Sequence, residues 1–187
     1  MVQGEAFRRD MISRELEEKQ LTDVITEVFH ELVHDDEVLI PPDNDQGIFK
    51  YAGTRPEAQF YLSKACRRRE VMRAGLGFVI QRAQLPSHFR ISIDVEISPE
   101  VTGKDAQKLV ELMNLKAQND YSMRAPVFIV YTQPAHSGHR GWAEKNFVGV
   151  ELEIQPNDLQ AIHKLGKKIM FVTRQLFQAL DYALVED

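Results

Sequence analysis

A single cysteine, Cys66, stands among 187 residues. That excludes an internal disulfide framework and suits a reducing compartment such as the cytoplasm. No apolar run approaches the roughly 20 residues that span a bilayer as a helix. The opening residues Met1-Val2-Gln3-Gly4-Glu5 lead into charged sequence without the apolar core of a secretory signal. Neither membrane insertion nor export is therefore expected. Internal repeats and low-complexity tracts are absent too, and Gly75-Leu76-Gly77 lacks the third glycine and the preceding strand of a nucleotide loop. Basic residues are outnumbered, 23 Lys and Arg against 28 Asp and Glu for a net charge of -5, which weighs against a dedicated nucleic-acid binder. What is present is globular composition: 43% hydrophobic and 27% charged residues over a length that suits one domain. A weak sub-boundary lies near Leu85-Pro86-Ser87.

Periodicity places the elements. From about Phe7 to His34 the chain reads helical, with Leu21, Val24, Ile25, Val28 and Leu32 on one stripe, and Glu17-Glu18-Lys19-Gln20 is a point where it could divide. Val38-Leu39-Ile40 suggests a short strand before Pro41-Pro42. Thr54-Arg55-Pro56-Glu57 has the form of a helix start, predicting a helix through Arg73 that ends near Gly75 or Gly77. Phe89, Ile91, Ile93, Val95 and Ile97 alternate with Arg90, Ser92, Asp94 and Glu96, predicting a strand with one buried and one solvated face. Thr102-Gly103-Lys104-Asp105 opens a helix with an apolar face of Ala106, Leu109, Val110 and Met113. Val127 to Tyr131 and Val148 to Ile154 read as strands able to pair as a hairpin, and Pro156 opens a long final helix lined by Leu159, Ile162, Leu165, Ile169, Val172, Leu176, Leu180 and Leu184. The expected class is α+β. A small mixed or antiparallel sheet, in β-α-β-β-α order through the C-terminal half, is packed by long amphipathic helices, with an α-rich N-terminal half.

His30-Glu31-Leu32-Val33-His34 is the one string that could carry chemistry outright. On a helix, i and i+4 share a face, so His30 and His34 could reach one zinc ion while Glu31 activates its water. The string resembles that of zinc peptidases over five residues, and that resemblance implies two metal ligands and a general base. The flanks differ from that family. Asp35-Asp36-Glu37 follow at a helix C-terminus, where the macrodipole disfavours acids, and no sheet precedes the motif. No third ligand stands at a familiar short spacing. A solvated helix face is the favoured reading, with no metal or catalytic residue expected.

Three further groups stand out. Gln133 to Trp142, in the connection between two strands, holds His136, His139, Arg140 and the only tryptophan, Trp142. Binding residues concentrate in such loops. Lys64, Arg67, Arg68, Arg69 and Arg73 form a basic contact surface on the helix expected there, able to grip phosphate or an acidic partner. Asp94 and Glu96 form a carboxylate pair on one strand face, without the lysine two residues on that a nuclease arrangement would carry. Together these features predict a non-catalytic cytoplasmic protein acting through protein–protein contact, as an adaptor, chaperone-like factor or assembly component, with self-association among the options. The alternatives are a small zinc peptidase using His30, Glu31 and His34, and a nucleic-acid-associated protein using the arginine helix.

Overall fold

The computed structural model describes residues 2–34, 49–52, 60–68, 72–82, 89–97, 105–119, 127–133 and 145–185. The first element is one continuous helix, α1 (Val2–His34). Glu17-Glu18-Lys19-Gln20 does not divide it, because Glu, Lys and Gln are good helix formers. The Thr22 and Thr26 hydroxyls donate back to the carbonyls of Glu18 and Thr22, each at 2.8 Å. Leu21, Val24, Ile25, Val28, Phe29 and Leu32 are all buried, the stripe that the 3.6-residue period requires.

Strands β1 (Phe49–Ala52), β2 (Phe60–Arg68), β3 (Met72–Arg82), β4 (Phe89–Ile97), β5 (Phe128–Gln133) and β6 (Lys145–Ile154) form a single sheet in the order β1-β2-β3-β4-β6-β5. Every neighbouring pair is antiparallel. Helices α2 (Ala106–Asn119), α3 (Pro156–Gln160) and α4 (Ile162–Val185) complete the described elements. The C-terminal half follows the expected β-α-β-β-α order, with β5 and β6 as a hairpin. Because β4 and β5 both run antiparallel to β6, they are parallel to each other. The helical crossover between them therefore spans the position that β6 fills.

The helix expected from Thr54 through Arg73 requires correction. Residues 60–68 and 72–82 are strands, paired from Phe60↔Ile80 to Arg68↔Met72. Of the basic residues at helical spacing, Lys64, Arg67, Arg68 and Arg73 lie on these paired strands instead. Local charge spacing contributes only tenths of a kcal/mol, whereas β3 bonds both β2 and β4 along most of its length. Gly75 and Gly77, the expected helix stops, lie inside β3 opposite Ala65 and Ser63. The segments around Val38 and around Thr54 lie outside the described residues. β3 and β4, on either side of Pro86, pair from Leu76↔Val95 to Arg82↔Phe89, so the sheet is continuous across that point.

One hydrophobic core lies between one sheet face and the helices. Phe78, Ile93, Val150 and Phe128 stand in register across four strands and are all buried. Phe29 of α1 meets Phe78 edge to face, with ring centroids 4.8 Å apart and planes at 88°. Ala106, Leu109, Val110 and Met113 of α2 are buried as expected. The Asp105 carboxylate accepts the Lys108 N–H at 2.8 Å and so caps that helix. The final helix is broken once, at Ala161, where φ is -115° and ψ is 54°. Before the break the Gln155 N–H donates to Asp158 Oδ2 at 2.9 Å, and after it Leu165, Ile169, Leu176, Phe177 and Leu180 are buried. The buried Thr173 hydroxyl is satisfied by the Ile169 carbonyl at 2.8 Å. Among the described residues, no helix is long and apolar enough to cross a membrane.

Candidate functional site

Strand β4 sends Phe89, Ile91, Ile93 and Val95 into the core, so Arg90, Ser92 and Asp94 belong to the opposite face. That face is not uniformly solvated, as alternation alone suggests: Ser92 is only 3% exposed. Asp94 lies between Gly77 of β3 and Gly149 of β6 in register. Neither neighbour has a side chain that could donate to it. Its Oδ1 is buried and has no hydrogen-bond partner among the described residues. Burial, and secondarily the negative charge of Glu151, push the Asp94 carboxyl up to about 7. Arg90 lies beside Glu151 and Glu153, with Nη1 3.6 Å from Glu151 Oε2 and Nη2 3.9 Å from Glu153 Oε1. This arrangement can take up or release a proton near neutrality. Across the strands, Asp94 is thus related electrostatically to Glu151. The side chain of Glu96 lies outside the described residues. Sequence alone could not supply Glu151, because only strand register brings it near.

His30, Glu31 and His34 are exposed on the last turns of α1. Among the described residues, no three or more His, Cys, Asp or Glu side chains are grouped as metal ligands would be. Asp35-Asp36-Glu37 lie outside those residues. The basic residues gather at the turn end of the β2–β3 hairpin, where Arg67 is opposite Arg73 and Arg68 opposite Met72, while Lys64 lies further along opposite Leu76. Arg69 lies outside the described residues, as do His136, His139, Arg140 and Trp142. The loop carrying those last four leaves the sheet at Gln133 and re-enters at Lys145, two residues paired in register.

A feature with no sequence signature lies at the sheet edge. Among the described strands β5 is terminal in the sheet, and its start is bridged to α2 by one side chain. The Asn114 Oδ1 accepts the Phe128 N–H at 2.9 Å, and its Nδ2 donates to the Phe128 carbonyl at 3.0 Å. The N–H and C=O of one strand residue point to the same side, so this carboxamide fills the outward-facing positions at Phe128 as a neighbouring strand would. Directly beside the bridged pair, Leu115 is 51% exposed and Val127 is 72% exposed. The opposite edge differs: β1 has only four residues and includes Lys50. Comparison of the chain with protein-family models, with curated proteins and with solved structures finds no match.

Proposed function

We propose that this protein is a non-catalytic, cytoplasmic interaction protein of the adaptor or assembly type, and that the β5 edge with its apolar rim is where it meets a protein partner. The observation that carries the reading is the exposed pair Leu115 and Val127, flanking the Asn114–Phe128 bridge at the end of an uncharged edge strand. Edge strands present unpaired backbone groups, and soluble proteins usually protect them with charge, proline, bulges or brevity. Between Phe128 and Gln133 β5 has neither a charged residue nor a proline. An extended partner segment adding to such an edge gains main-chain hydrogen bonds, while apolar contacts at the rim give selectivity. The segment with His136, His139, Arg140 and Trp142 follows β5 directly in the chain.

The test compares the wild type with a Leu115→Asp/Val127→Asp variant and with Phe171→Asp, another exposed apolar position, on α4. Tagged chains of each, matched for melting temperature, are captured and their bound proteins identified by mass spectrometry. Loss of a partner from the rim variant but not from Phe171→Asp supports the reading. Equal recovery from all three overturns it.

A further inference from the structure

We propose that the occupant of the β5 edge is β5 of a second copy, the two strands pairing antiparallel about a twofold axis at Tyr131 to join both sheets into one. This rests on the same edge as the function proposed above and names its partner.

Asn114 takes both groups of Phe128, so Phe128 is a position whose N–H and C=O point away from β6. In an antiparallel pair this property recurs every second residue, so Val130 and Thr132 face outward while Ile129, Tyr131 and Gln133 bond to β6. Among the described residues, no strand lies beyond β5. The edge therefore offers two consecutive outward positions, Val130 and Thr132, next to one already filled.

A strand with two such positions is complementary to itself in one register. With the axis at Tyr131, Val130 faces Thr132 of the other copy and Thr132 faces Val130, each pair exchanging two hydrogen bonds. The limits of that register agree with the sequence. Phe128 needs no partner because Asn114 supplies one, and the residue that would follow in the other copy, Pro134, has no N–H to donate. The strand Phe-Ile-Val-Tyr-Thr-Gln carries no charge, so two copies meet without repulsion. A twofold contact of this kind closes on itself and stops at two copies, since β1 at the far edge is short and includes Lys50.

A residue on a twofold axis faces its own copy, which gives the proposal a specific test. Sedimentation equilibrium of the full chain at micromolar concentration should give about twice the 21.5 kDa of one copy. Tyr131→Lys and Tyr131→Glu should each be monomeric, because like charges then stand directly opposite, and mixing the two should restore the doubled mass. Val130→Pro, which removes an outward N–H and leaves the bonds to β6 intact, should also be monomeric, with circular dichroism confirming that each variant is folded. A monomeric wild type overturns the self-pairing while leaving the partner-capture result to judge the edge itself. A doubled mass in either single-charge variant, or failure of the mixture to reassociate, overturns the axis at Tyr131.

Discussion

The two sides of β4 are built from adjacent residues yet obey different physics. On the inner side Phe89, Ile91, Ile93 and Val95 are all buried and continue into Phe78 on one neighbouring strand and Val148, Val150 and Ile154 on the other. Apolar surface removed from water is worth about 25 cal/mol per Å² and needs no particular partner, so that side tolerates a simple alternating pattern. On the outer side Ser92 and Asp94 are drawn out of water as well, but polar atoms require directional partners. Between Gly77 and Gly149, no such partner reaches Asp94 Oδ1 from the described residues. Regular pairing of a strand therefore satisfies its backbone without satisfying the polar side chains on its outer side.

The inner side of β4 carries the largest expected effect. Ile93→Ala removes a wholly buried side chain at the centre of the sheet and should cost about 2–5 kcal/mol in urea unfolding. A cost under about 1 kcal/mol would mean that the inner layer is loosely packed.

Asp94→Asn is the next largest effect and has the opposite sign. The folded-state pKa lies above the ordinary value of 3.8, so the protonated form is favoured by folding. The stability this gives is fully present below about pH 4 and is lost as pH rises toward 7. An uncharged asparagine should flatten that slope and raise stability at pH 8 by on the order of 2 kcal/mol, allowing for relaxation around the charge. Melting temperature against pH for both proteins checks this. Parallel profiles would place Asp94 in a well-solvated setting.

Arg90→Ala tests the half-exposed neighbours. Its contacts to Glu151 and Glu153 are 3.6 and 3.9 Å long and partly screened, so stability should fall by less than about 1 kcal/mol and the difference should shrink in high salt. His34→Ala, on the exposed face of α1, should change stability by less than about 0.5 kcal/mol in metal-free buffer. A larger loss in either variant would show that it serves the fold.

Elements with one dominant period are legible in the amino-acid sequence alone. β4 spans Phe89–Ile97 as its alternation predicts, and the α2 face Ala106, Leu109, Val110 and Met113 is buried. The β2–β3 hairpin is not legible in this way. Its Arg and Lys spacing satisfies a helical template, and its strand identity depends on β4, which lies beyond it in the chain. At the edge, Asn114 reads as an ordinary helical polar residue until folding sets it against Phe128. The grouping of Asp94 with Glu151 is invisible for the same reason.

The α+β class, the buried stripes of α1, α2 and α4 and the β5–β6 hairpin follow from local pattern, because periodicity and turn chemistry act between residues close in the chain. That residues 60–68 and 72–82 are strands, that Gly77 and Gly149 flank Asp94, and that β5 is terminal among the described strands and bridged by Asn114 come from long-range pairing. Those outcomes depend on register and strand order, which are fixed by burial and hydrogen bonding between segments far apart in sequence.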